Sequence, residues 1–323
     1  MKIGIIGTGM IVPGFLEACA EIEDIHIEAI CGRTKEKVEK FSQALKCKSF
    51  YDYDKMLEDS SIDTIYIALP NHLHYAYTKK ALLQGKNVVC EKPFMNNLDE
   101  AKELVQLAKD KELFLFEAIT NQYLPNYEKI KQLIPTIGNI RIVQLNYSQY
   151  SSRYDAFKRG EILPAFDVNK SGGALMDLGV YNIYFIVGLF GKPQQVEYLA
   201  NVTCGIDTSG VLLMDYGTFK CVSVQAKDCM APLSINIQGD LGTIHCKEPS
   251  STLNHIQFMM NRQEPVEYTL NTHSPRLYEE MAFFNRMVHE KDYKACHEMM
   301  EKSLIVMEIL DKARQSAGIH IAR

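Results

Sequence analysis

The first 120 residues alternate short, almost wholly apolar runs with stretches where apolar positions recur every three or four residues. Lys2–Ile6, His26–Cys31, Thr64–Leu69, Asn87–Cys90 and Leu113–Ala118 read as strands. Their near-continuous Ile, Val, Leu and Phe content suits strands covered on both faces, as in a parallel sheet. The helical periods between them are Ile11–Glu21, Lys35–Leu45, Asn71–Gln84 and Leu98–Asp110. A β-α-β-α order with short connections predicts an α/β fold, a doubly wound parallel sheet of the Rossmann type over residues 1–120.

After about residue 138 the period shortens to two. Ile140–Tyr150, Gln194–Thr203, Val211–Tyr216, Phe219–Gln225, Leu233–Gln238, Gly242–Cys246 and His255–Met259 read as successive strands, divided by turn residues such as Gly239-Asp240-Leu241-Gly242. Helical patterns run over Ala174–Leu189, Pro275–His289 and Ala295–Ala317. Residues 121–323 are thus expected to form an α+β domain with a large open, mainly antiparallel sheet and helices on one side. There is no internal repeat and no low-complexity linker.

Length and charge narrow the function classes. A chain of 323 residues suggests about two domains and buries a sizeable core without a metal or disulfide staple. A net charge of -5 leaves no global basic field for nucleic acid. The apolar run after Met1 is too brief for a signal peptide, and no stretch of about 18 apolar residues is evident. Nine scattered cysteines without a Cys-x-x-Cys pattern read as reduced thiols. The expectation is a cytoplasmic protein with no membrane and no nucleic-acid partner.

The candidate chemistry begins at Gly7-Thr8-Gly9-Met10-Ile11-Val12, between the first strand and the first helix. Glycines there permit a tight turn and close backbone approach, while helix N-terminal amides face a pyrophosphate. Val12 replaces the third glycine of the usual pattern, which implies a slightly wider approach. Dinucleotide binding is expected over an ordinary strand-helix turn. The second strand ends Cys31-Gly32-Arg33-Thr34, with no Asp or Glu to hold the adenosine ribose hydroxyls. Arg33, with Thr34 and Lys37, supplies donors for a 2′-phosphate, unless Arg33 is simply a solvated loop residue. NADP(H) is favoured over NAD(H).

Two strand ends carry further polar groups. Lys92, within Cys90-Glu91-Lys92-Pro93, is held extended by the following proline at a carboxyl edge where ligands bind in such sheets. Leu69-Pro70-Asn71-His72-Leu73-His74 leaves the central strand in the same way, with Asn71 as the expected N-cap. His72 and His74 have no carboxylate or cysteine spaced nearby, so no metal site is expected. Asp177 and Tyr181 are four residues apart behind Ser171-Gly172-Gly173, so they share one helix face. A carboxylate beside a phenol can bind a hydroxylated substrate and relay a proton. Judged singly, each motif also has a plain structural reading, as a surface lysine or an ordinary amphipathic helix.

Together these segments resemble the glucose-fructose oxidoreductase / inositol dehydrogenase / MocA (Gfo/Idh/MocA) family of NAD(P)-dependent oxidoreductases. The likeness rests on Gly7–Ile11, Pro70–His74, Gly85–Pro93 and Gly172–Gly179 in this order and runs over nearly the whole chain. It implies that Lys92 is the active-site lysine, that Leu69, Pro70, Asn71, His74 and Glu91 line the cofactor, and that Asp177 is a substrate-pocket carboxylate. Tyr181 stands where many members have histidine and resembles the dihydrodiol dehydrogenase branch, which generally uses NADP(H). The implied reaction is hydride transfer between nicotinamide C4 and a carbon of a sugar, polyol or cyclic diol. Tyr181 would exchange the proton and Lys92 would orient the oxygen and ease the phenol's ionisation. A redox-assisted lyase or glycosidase with retained cofactor, and a non-catalytic NADPH-sensing protein, are the rival readings.

The chain departs from the pattern in Glu117–Pro125, where it lacks the usual tryptophan and Gln122 replaces an arginine, and at Tyr184, where an aspartate is common. Arg153 or Lys170 is a candidate grip for an anionic substrate, with a solvated loop as the alternative. A homodimer or higher homo-oligomer through the C-terminal sheet is expected, because an open sheet face needs covering.

Overall fold

A computed structural model describes residues 1–320. In chain order it forms β1 (Lys2–Ile6), α1 (Ile11–Ala20), β2 (His26–Cys31), α2 (Lys35–Leu45), β3 (Lys48–Phe50), α3 (Tyr53–Leu57), β4 (Thr64–Ile67), α4 (His74–Leu83), β5 (Asn87–Glu91), α5 (Leu98–Asp110) and β6 (Leu115–Ala118). There follow α6 (Pro125–Leu133), β7 (Ile140–Ser148), α7 (Tyr154–Lys158), a π-helical turn (Leu175–Gly179) and α8 (Val180–Phe190). The strands β8 (Gln195–Thr203), β9 (Ile206–Asp215), β10 (Lys220–Ala226), β11 (Ser234–Gly239), β12 (Gly242–Cys246), β13 (Ile256–Met260) and β14 (Val266–Tyr268) lead to α9 (Tyr278–Glu290) and α10 (Tyr293–Ser316). These elements make two compact units, 1–119 with 273–304, and 120–272 with the chain from Ile305 on.

The first unit is built on a six-stranded parallel sheet in the order β3-β2-β1-β4-β5-β6. The order reverses between β1 and β4, which makes the carboxyl edge at that point the expected ligand crevice. β1, β4, β5 and β6 are buried on both faces, as their apolar runs predict. β3 and α3 escape the sequence pattern because β3 is a three-residue edge strand with no apolar run. Residues 273–304 read by sequence as part of the second half, yet they pack here. Phe284 stacks on Phe116 at 4.4 Å, Tyr293 on Phe114 at 4.4 Å, and the Cys296 thiol donates to Leu115 O at 3.3 Å. An amphipathic pattern marks a buried face without saying which sheet it covers.

The second unit carries an eight-stranded sheet, β14-β13-β12-β11-β7-β10-β9-β8. Its pairings are antiparallel apart from β7 with β10, which run parallel. One phase of the pleat is buried, including Val143 and Leu145 on β7 and Ile235 and Ile237 on β11. The other phase leaves Ile142, Leu199, Leu213 and Met259 exposed. The segment Val168–Phe190 is long and apolar enough by composition to cross a membrane. Most of its apolar window is buried inside the protein, as for a core helix.

Candidate active site

In the first unit the dinucleotide motif folds as a turn that only glycine permits. Gly7 adopts φ +115°, and a Cβ there would lie 2.2 Å from Ala68 O at the end of β4. The Gly7 N–H donates to Cys31 O at 2.9 Å, so the ends of β1, β2 and β4 are drawn together. Thr8, Gly9 and Met10 complete the turn and α1 starts at Ile11, with Val12 buried beneath it. This close cradle of backbone at a helix start fits a pyrophosphate.

Beyond β2, a Cβ on Gly32 would lie 3.2 Å from Thr8 Cγ2, which sets the end of that strand against the turn. Arg33 and Thr34 follow, both exposed. The carboxylate whose field reaches Cys31, Asp52, accepts from the Asp54 and Lys55 amides as the cap of α3. It is therefore engaged in holding a helix start.

At the end of β4, Leu69 and Pro70 lead into a 3₁₀ turn, Asn71–Leu73, and α4 opens at His74. Asn71 is thus the first residue of that turn and not the N-cap of α4, a correction to the sequence expectation. The local pattern gives helix content but does not distinguish a 3₁₀ start from an α start. His74 is fully buried between two strand ends, with Nδ1 3.0 Å from Pro93 O and Nε2 2.9 Å from Leu69 O. Burial holds its pKa below 6.5, and the surrounding carbonyls oppose that shift. A neutral ring donates from one nitrogen, so His74 ties the Leu69 loop or the Pro93 loop at any one time.

Lys92 lies half-buried at the carboxyl end of β5, ahead of a cis peptide bond to Pro93. The neighbouring Glu91 is partly buried as well. It accepts from Tyr66 Oη at 2.5 Å, and Tyr66 stacks on Phe15 of α1 at 3.6 Å. Burial raises the Glu91 carboxyl, opposed by the Tyr66 hydrogen bond and by the charges of Lys92 and Arg276. The glycine turn, Arg33, Thr34, Leu69, Pro70, Asn71, His74, Glu91 and Lys92 all belong to the carboxyl ends of β1, β2, β4 and β5. Among the described residues, no cluster of three His, Cys, Asp or Glu side chains suits a metal ion.

In the second unit Asp177 lies in the π-helical turn and Tyr181 in the first turn of α8. The helix is held by side chains from the stretch that departs from the family pattern. Asn121 Nδ2 donates to Tyr181 O at 2.8 Å, Gln122 Nε2 to Tyr184 O at 2.9 Å, and Tyr127 Oη to Phe185 O at 2.9 Å. Tyr181 is nearly buried, and its ring centroid is 6.1 Å from that of Tyr147. Arg153 precedes α7, half-buried. Lys170 is paired with Asp167 at 2.9 Å, so its charge is already matched.

Strand β10 brings polar side chains under this helix. Its inward phase runs Cys221, Ser223, Gln225, and Lys227 continues it just past the strand. Ser223 Oγ meets Asn182 Nδ2 at 3.0 Å, Gln225 packs against Gly179, and Lys227 Nζ meets Asp177 Oδ2 at 2.7 Å. From β9, Asp207 Oδ2 accepts from the Leu175 amide at 2.7 Å and from Tyr198 Oη at 2.9 Å. Burial pushes the Asp207 carboxyl up to about 6 against these hydrogen bonds and the Lys227 charge. The sequence reading missed Lys227 and Asp207. Polar residues on the inward phase of β10 were the available signal, since buried strand faces are normally apolar.

Comparison with known proteins agrees with this arrangement. Residues 1–118 match the oxidoreductase family with an NAD-binding Rossmann fold, and residues 127–245 match the GFO/IDH/MocA C-terminal domain. The scyllo-inositol 2-dehydrogenase (NADP(+)) IolU of Bacillus subtilis is 34% identical over 99% of this chain and 98% of its own. The mouse trans-1,2-dihydrobenzene-1,2-diol dehydrogenase is 28% identical over 68% of each chain. A crystal structure of KijD10, a 3-ketoreductase from Actinomadura kijaniata in complex with NADP and TDP-benzene, superposes with a TM-score of 0.85 at 19% identity, covering 98% of this chain and 97% of that one. The chain belongs to the Gfo/Idh/MocA family. It is an NAD(P)-dependent oxidoreductase.

Proposed function

We propose that the protein moves a hydride between nicotinamide C4 and a carbinol or carbonyl carbon of a sugar, polyol or cyclic diol, with NADP(H) preferred to NAD(H). The observation that carries this reading is the convergence of the Gly7–Ile11 turn, Arg33 and Lys92 on one carboxyl edge of the parallel sheet. Two relatives that are NADP(+) enzymes by name support the cofactor preference, the inositol dehydrogenase above and the D-xylose 1-dehydrogenase of Hypocrea jecorina, 24% identical over 99% of this chain and 92% of its own.

When bound, the nicotinamide accepts or supplies the hydride. The backbone of Gly7, Thr8, Gly9, Met10 and Ile11 holds the pyrophosphate, and Arg33 with Thr34 pairs with the 2′-phosphate. Leu69, Pro70, Asn71 and His74 build the edge beside it. Asp177 accepts a hydrogen bond from a substrate hydroxyl, and Arg153 borders the same substrate. In the oxidative direction the C–H pair leaves as hydride while Tyr181 takes the hydroxyl proton; reduction returns both. Lys92 donates to the substrate oxygen and orients it.

The test is turnover of scyllo-inositol, D-xylose and trans-1,2-dihydrobenzene-1,2-diol with NADP+ and with NAD+, followed by the absorbance of the reduced nicotinamide. Turnover of at least one substrate, faster with NADP+, is expected. Inactivity on all three with both cofactors overturns the proposal.

The exposed apolar residues Ile142, Leu199, Leu213 and Met259 on the open phase of the second sheet support a further part of this proposal. That face is covered by a second copy of the chain.

A further inference from the structure

Lys227 is a lysine with 3% of its side chain exposed, placed beside a partly exposed aspartate. Its backbone is pinned on both sides: its N–H donates to Thr208 O at 2.8 Å, and its carbonyl accepts from Ser151 N–H at 2.9 Å. The amine reaches Asp177 Oδ2 at 2.7 Å and Ala165 O at 3.3 Å, and lies 5.0 Å from the Phe166 ring centre. The second carboxylate in its field is the buried Asp207.

Burying an ammonium group is unfavourable, and replacing a buried ion pair by apolar residues is often neutral or stabilising. Stability alone is therefore a weak reason for this pair. Its two ends differ in a way that points elsewhere. Lys227 is enclosed, whereas Asp177 keeps 41% of its side chain exposed. A rigid cation behind a carboxylate fixes which oxygen it holds and so fixes how the acid meets a ligand. With Oδ2 held by Lys227, the exposed carboxylate presents its acceptor sites in one direction and favours ligands whose hydroxyl meets them over analogues that lack it.

We propose that Lys227 is a positioning residue for substrate specificity, fixing Asp177 as a directed acceptor for one hydroxyl of an uncharged polyol or diol. This rests on the polyol reading above. Lys227 acts through Asp177 and touches neither the reacting carbon nor the cofactor.

The test is steady-state kinetics of wild type, Lys227→Met, Asp177→Asn and the double variant, using the substrate of the three above that wild type turns over fastest. Each single variant is expected to raise KM about tenfold or more while kcat stays within about threefold. The double variant is expected to match Asp177→Asn within about twofold, because the lysine has no route to the substrate except the aspartate. NADPH affinity and thermal midpoint, measured on every variant, separate this effect from a general loss of fold.

Wild-type KM in Lys227→Met overturns the inference, and so does a double variant whose loss is the product of the single losses. Should Lys227→Met fail to fold, the comparison of Asp177→Asn with the double variant, in which both charges are gone, still decides. A wild type inactive on all three substrates overturns the polyol reading itself, a separate outcome.

Discussion

Gly173 lies so close to Asp207 that a Cβ on the glycine would stand 2.1 Å from the carboxylate oxygen Oδ1. Gly173 also has φ +103°, a conformation that side chains resist. The contact sits directly before the turn that carries Asp177, and Asp207 holds the Leu175 amide of that turn. Gly173→Ala is expected to lower stability by at least ~2 kcal/mol through clash and backbone strain together. Urea unfolding measures this; a loss below half that size would contradict the packing described.

Asp207 gives stability a defined pH dependence. Its carboxyl is raised from the ordinary 3.8 to about 6, so the folded chain holds that proton more tightly than the unfolded one. The stabilisation linked to this proton is complete below about pH 4 and lost as pH rises through about 6. The shift corresponds to ~3 kcal/mol. Asp207→Asn keeps an acceptor for the Leu175 amide and the Tyr198 hydroxyl but has no proton to lose. Wild type should therefore lose stability relative to the variant between about pH 4 and 7 by this amount. Parallel stability curves would contradict it.

His74 has the opposite sign. Burial lowers its pKa from 6.5, so its contribution is present above that pH and lost as pH falls through the lowered value. His74→Ala removes a buried ring from between Leu69 O and Pro93 O, at an expected cost of ~2–4 kcal/mol near neutral pH. That difference should shrink on acidification. Because the same two loops border the cofactor edge, the dissociation constant for NADPH should rise about tenfold or more. Fluorescence titration checks the affinity and urea unfolding the stability.

Leu199 is 58% exposed on the open phase of the second sheet. If a second copy covers that face, Leu199→Asp buries a charge at the contact and should shift a dimer toward monomer. Sedimentation velocity of both proteins reads the state directly. A wild type that is monomeric at micromolar concentration contradicts the covering.

Periodicity made most of the fold legible. The strands β1, β2, β4, β5 and β6 are continuous apolar runs, and the second sheet alternates, so both sheets follow from local pattern. β3 and β14 are three-residue strands without enough periods to register, and α6 was not anticipated at all. The places of the glycine turn, Arg33 and Lys92 were legible because they lie at strand ends that the pattern already marks. Asn121 and Gln122 stand out in the sequence only as departures from a familiar stretch, yet they hold the carbonyls of Tyr181 and Tyr184. Lys227 was missed because a lysine at a strand end ordinarily reads as a solvated residue. Its burial depends on the opposing Asp177, fifty residues away in the chain, which no local window brings together.

The catalytic assignment is tested by removing the polar group at each proposed proton-handling side chain. Tyr181→Phe removes the phenolic oxygen, and Lys92→Met removes the ammonium while keeping most of the side chain's length. Each should lower kcat/KM by at least about a hundredfold, the scale of losing a positioned acid-base group. NADPH affinity should hold within a few fold in Tyr181→Phe. Wild-type rates in both variants would contradict the assignment.

The most direct measurement follows the hydride itself. A substrate deuterated at the carbinol carbon is incubated with NADP+ and the protein, and the reduced cofactor is analysed by mass and NMR. Hydride transfer predicts deuterium at nicotinamide C4 in an amount equal to the ketone or lactone formed. Product formed without net labelled NADPH would contradict it and indicate chemistry in which the cofactor is retained.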